Sequence, residues 1–174
     1  YNMTVSQARK SGQISTSNLY DNWNRYVDLR IEMINYFDKI SKKDGITSLN
    51  TAFSSEGSFI HIPKNVQVDK PIQVIYFSTG KNESVFYQPR NLIIVGENSQ
   101  VEIIERHQSL SENSVLVNSV SEIYCNVRSV VKHYKIQNDK TNASLIDNTF
   151  VSQQRNSDYS LHTFSLGGEL TRNN

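Results

Sequence analysis

Three ten-residue stretches of this chain superimpose: FIHIPKNVQV from Phe59, LIIVGENSQV from Leu92 and EIYCNVRSVV from Glu122. Each is a short apolar strand, a polar break with Asn65, Asn98 or Arg128 at one register, and a second strand closing on Val68, Val101 or Val131. The closing valines lie 33 and 30 residues apart. Such a spacing suits a coil of three short strands with one enlarged corner, each coil burying its apolar face against the next.

Antiparallel sandwiches and jelly rolls join their strands by tight hairpins, commonly through Asn-Gly or Asp-Gly pairs between alternating strands. No such pair separates the strands here, and the one Asp-Gly, at Asp44-Gly45, lies upstream of all three stretches. The pattern therefore predicts a mainly β fold, a parallel β-helix with Val68, Val101 and Val131 stacked inside. Asparagine suits its corners because it tolerates the left-handed backbone region and hydrogen-bonds locally, and Gly96 is expected to serve in the same way. Strands are expected at 58–62, 66–68, 72–77, 91–95, 100–105, 116–120, 122–125, 130–137, 143–152 and 158–166.

Upstream the periodicity differs. Trp23, Tyr26, Val27, Met33, Ile34, Phe37 and Ile40 recur at helical steps, which predicts an amphipathic helix over 18–41 with an aromatic stripe for core packing. Ser17 or Asn18 would cap its start, Lys42 and Lys43 suit its end, and Asp44-Gly45 would stop it. The organisation expected is an N-terminal helical segment, 1–48, followed by a β-helix core, 49–174.

Hydrophobic residues make up 37% of the chain and the formal net charge is +1, so there is no broad electrostatic case for binding nucleic acid or an anionic membrane. A single cysteine, Cys125, rules out an internal disulfide and any multi-cysteine metal site built by this chain alone. No apolar run reaches the roughly 20 residues that span a bilayer, and YNMTVSQARK lacks the apolar centre of a signal peptide. A cytoplasmic protein is the expectation, and the Asn-x-Ser/Thr triplets at Asn2, Asn82 and Asn142 then carry no weight. The start at Tyr1 and the end in LTRNN suggest a piece of something longer.

The stretches LNTAFSSEGSFIHIPKNVQVDKPIQVIY (49–76), PRNLIIVGENSQVEIIERHQSL (89–110) and LGGELTRNN (166–174) resemble the SufB/SufD family of iron-sulfur cluster assembly scaffolds, its SufD branch in particular. The Tyr-Phe-Arg-Ile-Asn type of block associated with SufB is not present. The resemblance spans nearly all of residues 45–174 and is weak across the N-terminal helix. It implies a right-handed parallel β-helix in a non-catalytic subunit that pairs with SufB and sits on the ATPase SufC in a cytosolic cluster-building complex. It also implies that the SufC-binding helical domain, and the SufD histidine near the proposed cluster site, lie beyond LGGELTRNN. Two positions depart from the family pattern. Asn126, Val127 and Arg128 replace a Gly-Glu-Asn-like corner, so a differently shaped corner is expected there. Cys125 stands where the SufD branch is ordinarily apolar, so the sulfur-accepting role of a SufB cysteine does not transfer to it.

Gly96-Glu97-Asn98-Ser99 is one glycine with no helix after it, whereas phosphate grips need several glycines leading into a helix N-terminus. It is read as a corner. Glu105, Arg106 and His107 could form a proton-transfer pair. Strand alternation puts Glu105 and His107 on one face and Arg106 on the other, and all three are expected at an exposed coil edge. His61, His107, His133 and His162 sit on separate coils, and the repeat sets His133 opposite Ile103 rather than His107, which argues against a metal site with Cys125. Cys125 is expected to be a small buried hydrophobe. No catalytic or metal-binding residue is assigned, cofactor-binding residues stay open, and no cofactor is assigned to this chain, iron-sulfur clusters or their precursors belonging to the complex. The alternative is a carbohydrate-active β-helix enzyme of the pectin-degrading kind, which needs clustered carboxylates on neighbouring coils. Asp69, Glu83, Glu97, Glu102, Glu105, Glu112 and Glu122 share no repeat position. An open last rung around 161–170 would be an unpaired edge, so self-association as a homodimer is expected, through that end or through a mimic of the SufB contact.

Overall fold

A computed structural model of the chain describes residues 15–17, 34–41, 44–80 and 83–174. Among these, strands dominate: β1 (Ser15–Ser17), β2 (Phe59–Ile62), β3 (Ile72–Ser78), β4 (Val85–Tyr87), β5 (Arg90–Val95), β6 (Gln100–Ser109), β7 (Val115–Cys125), β8 (Val130–Gln137), β9 (Ala143–Gln153), β10 (Asp158–Ser165) and β11 (Leu170–Asn173). One sheet has the order β1-β2-β5-β7-β9-β11, with β4 added to the start of β7, and the second has the order β10-β8-β6-β3. Every pairing is parallel except the antiparallel β1 and β2. The chain crosses from one sheet to the other at each corner and pairs one coil later with its own equivalent, as in Arg90↔Val120 and Gln100↔Val130. This is a parallel β-helix, as the repeat predicts.

Its corners follow from local backbone chemistry. Asn65, Asn98, Arg128 and Asn156 all adopt left-handed φ values of 61, 56, 56 and 60°. Asn98 Nδ2 donates to Asn65 Oδ1 at 3.1 Å, and the Ser99 hydroxyl ties two coils by donating to the Pro63 carbonyl while accepting from the Val66 N–H. The Arg128 corner therefore has the shape of its neighbours, contrary to the departure expected from its sequence. Gly96 serves differently from Asn98. A Cβ there would lie 2.5 Å from the Lys64 nitrogen of the preceding coil, so it is close approach that requires glycine.

Between the sheets, Ile60, Ile62, Ile93, Val95, Val101, Ile103, Ile123, Cys125 and Val131 form one buried cluster with Val68 packed against it. Burying a side chain of this kind contributes about 1.5–3 kcal/mol, so this half of the interior holds the stack together. Farther from the corners the inward positions turn polar, at Asn91, Glu105, His107, Ser119, Ser121, Lys135 and Asp147.

Several local expectations need correction. Residues 66–68 do not form a strand; they make a single bridge, Gln67↔Gln100, between Pro63 and the N–H-less Pro71. The expected break at Ser121 is absent, because the ladder of β7 with β9 runs on through Cys125. Strands β1, β4 and β11 are additional. For the predicted helix over 18–41, residues 18–33 lie outside the described residues, as do Lys42 and Lys43. Residues 34–36 are helical, then the chain turns, with Asp38 at φ 58°. Asp44-Gly45 opens a helix instead of closing one: α1 (Gly45–Phe53) is capped by Asp44, whose carboxylate accepts from the Thr47 N–H at 2.8 Å. This helix runs across residue 49, where only strands are expected.

Candidate functional site

The polar half of the lumen is the candidate site, and strand alternation builds it. Parallel pairing sets Glu105 beside Lys135 and Ile103 beside His133. Inward positions on β6 are Glu105 and His107, those on β8 are His133 and Lys135, and β9 supplies Asp147 from the facing sheet. Glu105 and His133 are fully buried, and His107, Lys135 and Asp147 nearly so.

Lys135 is the hub. Its Nζ donates to Asp147 Oδ2 and to Thr149 Oγ1, both at 2.6 Å, and stands 3.4 Å from Glu105 Oε2. The same Glu105 oxygen lies 3.5 Å from His133 Nε2, while His133 Nδ1 is 2.9 Å from the Tyr159 hydroxyl. Tyr76 stacks on His107 with ring centroids 4.7 Å apart and donates to Asn91 Oδ1, and Asn91 Nδ2 donates to Ser121 Oγ. Four successive coils are thus joined by side chains as well as by their ladders.

The electrostatics follow from burial and pairing. Burial alone would raise the Glu105 carboxyl, but Lys135, then His133, outweigh it and hold the group below the usual carboxylate range. Burial opposes the Lys135 charge, yet Asp147 and Glu105 hold the ammonium above its ordinary value. Burial lowers His107 against the pull of Asp147 and Glu105, which keeps its imidazole neutral near pH 7. Burial also raises the Tyr159 and Tyr76 hydroxyls. A protonated lysine, an ionised glutamate and un-ionised phenols are poorly poised for acid-base or nucleophilic work near neutral pH. What this arrangement does chemically is order charge across coils.

Glu105 and His107 therefore face inward, not outward at a coil edge as their polarity suggests, while Arg106 projects from the other face as alternation requires. His61 and His162 lie on the outside of the coil, the latter stacked on Tyr134 at 5.2 Å. Among the described residues no three His, Cys, Asp or Glu side chains converge as metal ligands. Cys125 is buried in the apolar half, and burial pushes its thiol up to about 12, so it is a hydrophobe there and not a ready thiolate. Lys135 and Asp147 escape a motif search. The repeat itself carried a signal for Lys135, since the register that aligns Val101 with Val131 also sets Glu105 on Lys135.

Two family models match the chain. "SUF system FeS cluster assembly, SufBD core domain" covers residues 76–174, and "SufBD protein N-terminal region" covers residues 2–74. The chain belongs to the SufBD family. An iron-sulfur cluster assembly SufBD family protein of Synechocystis is 31% identical over 156 residues, covering 83% of this chain and 34% of the relative. Protein ABCI7, chloroplastic, of Arabidopsis thaliana is 31% identical over 149 residues, 82% of this chain and 31% of that protein. Iron-sulfur cluster assembly protein SufD of Bacillus subtilis is 28% identical over 109 residues, 58% of this chain and 24% of that protein. The chain spans about a third or less of the length of these curated relatives. The two SufBD models meet inside β3, so the stretch matched by the N-terminal model includes β2.

Proposed function

We propose that the protein carrying this chain is a non-catalytic scaffold subunit of a SufBCD-type iron-sulfur cluster assembly complex, of the SufD kind, pairing with a SufB homologue and with the ATPase SufC. The observation that carries this reading is the match to both SufBD family models across nearly the whole chain. The lumen supports it, because Glu105, Lys135 and Asp147 form ion pairs that run from coil to coil. Iron-sulfur clusters or their precursors are then cargo of the complex, not a resident cofactor of this chain. A cytoplasmic setting accompanies the proposal; among the described residues no helix is long and apolar enough to cross a membrane. The test is gel filtration of the full-length protein with its SufB and SufC homologues. Co-elution is the expected result, and three separate peaks would overturn the proposal.

Self-pairing is the finer proposal. The rung of β10 and β11 exposes Leu161, Phe164, Leu166 and Leu170 beside unpaired strand edges, a combination that favours strand addition by a second copy. Light scattering of this chain at high concentration should give the mass of a dimer, and a strict monomer refutes it. The carbohydrate-enzyme reading finds no support. Glu97, Glu102 and Glu112 are each paired with a cation one coil on, Arg128, Lys132 and Lys140, and Glu105 and Asp147 are buried.

A further inference from the structure

Residues 34–41 lie across the outer face of the larger sheet, and their polar attachments to the solenoid among the described residues centre on one pair of side chains. Glu122 of β7 accepts hydrogen bonds from the backbone N–H of Asp38 at 2.7 Å, from that of Ile40 at 3.2 Å and from Arg90 Nη2 at 2.8 Å. The same Arg90 nitrogen lies 3.1 Å from Asp38 Oδ1 and donates to Ser41 Oγ at 3.2 Å. The guanidinium sits 5.0 Å from the centroid of the Phe37 ring. One more attachment comes from Tyr124, whose hydroxyl donates to the Tyr36 carbonyl at 2.7 Å. With the segment in place, Arg90 and Glu122 are fully buried, and Tyr36, Phe37 and Ile40 cover an apolar group made of Phe59, Leu92, Ile94 and Tyr124.

Two features make this cover separable from the coil beneath it. Strand β5 is paired on both sides, to β2 and β7, and β7 likewise to β5 and β9, so neither ladder depends on residues 34–41. Arg90 Nη1 is held independently by Thr51 Oγ1 of α1 at 3.1 Å, so the guanidinium keeps its place when the segment lifts. Energetically, taking a guanidinium and a carboxylate out of water costs an amount their mutual attraction often fails to return. Lifting the segment gives both charges their hydration back. The pair thus fixes where residues 34–41 sit, by presenting one carboxylate to two backbone N–H groups, while reducing how firmly they are held. An apolar pair at these positions would do the reverse.

We infer that residues 34–41 form a reversible cover, latched by Glu122 and Arg90, whose release uncovers the Phe59, Leu92, Ile94 and Tyr124 face of the coil. Glu122 is a positioning residue: it dictates the path of the segment through Asp38 and Ile40 and is dispensable to the ladder. The cover opens locally, and the solenoid remains intact when it does.

Native-state hydrogen exchange on the full-length protein tests this. The amides of Asp38 and Ile40 should exchange at least about 100-fold faster than those of Ile93 and Ile123, with little dependence on denaturant, as local openings do. Glu122→Gln should speed Asp38 and Ile40 by about tenfold or more, with their exchange still nearly independent of denaturant, the signature of a local unit. Strand amides that exchange by global unfolding quicken by no more than that factor, since global unfolding includes release of the cover. Tyr124→Phe, which removes only the bond to Tyr36, provides a gentler variant with the same expected direction. Asp38 and Ile40 amides that exchange only with global unfolding in the unmodified protein would overturn the inference. So would a Glu122→Gln variant whose Asp38 and Ile40 amides exchange no faster than in the unmodified protein.

Discussion

Lys135 is the side chain on which the electrostatics of the lumen turn. It separates two buried carboxylates, Glu105 and Asp147, and replacing it by methionine leaves both without their cation. Removing one partner of a buried ion pair typically costs about 3–5 kcal/mol, and Lys135→Met should lower stability to urea at pH 7 by that order. The deficit should shrink in acid. Because the folded-state carboxyl of Glu105 is depressed, its stabilisation is present above the unfolded value of about 4.3 and is lost as pH falls through the folded one. Lys135→Met removes the largest contribution to that depression, so the variant has less to lose, and urea midpoints that stay equally far apart at pH 7 and pH 3 would contradict the assignment. His107 titrates at milder acidity. Its folded imidazole is depressed by burial, so folding favours the neutral ring, and stability should begin to fall below the unfolded value of about 6.5. His107→Gln should flatten the pH profile between 6.5 and 5, which thermal melts across that range can check.

At the scale of elements, the corners decide the fold and were the part most open to reading. Asn65 and Asn98 announce a left-handed backbone, and the repeat transfers that conformation to Arg128, which has no chemical reason of its own to adopt it. A left-handed residue with a Cβ costs roughly 1–2 kcal/mol, and asparagine tolerates it best among the non-glycine residues. Arg128→Asn should therefore raise the melting temperature, the lost pairing with Glu97 being exposed and worth little. Gly96→Ala should lower it, by about 1–3 kcal/mol in stability, since the new methyl meets the backbone of Pro63 and Lys64. The strands were less legible for a specific reason. An alternating pattern gives the two faces of a strand but does not say which one is inside when both are polar, as along Glu105, Arg106 and His107. Polarity then points the wrong way, and only the stacked register of Glu105 on Lys135 betrays a lumen. The helical stripe suffered a comparable ambiguity at its end, where Asp44 reads equally as the stop of one helix and the cap of the next.

For the molecule as a whole, each coil touches only its neighbours, so stability is transmitted along the stack step by step and not through a single centre. Ile123 is the midpoint of that transmission: it pairs with Ile93 on one side and Val151 on the other and is fully buried between them. Truncating it to alanine leaves a cavity at a cost of about 2–5 kcal/mol, taken almost entirely from the interfaces that join the first coils to the last. Ile123→Ala should therefore do more than destabilise. It should split one unfolding transition into two, with the amides of β10 and β11 losing protection at lower denaturant than those of β5 and β6, because β10 and β11 are the edge strands of their sheets and have a neighbouring strand on one side only. Coincident loss of protection in the variant, at a lower midpoint, would mean that the lumen network of Glu105, Lys135 and Asp147 couples the coils strongly enough to override the missing apolar contact. Combining Ile123→Ala with Lys135→Met would then separate the transitions, and that pair of variants measures how cooperativity divides between the apolar and charged halves of the interior.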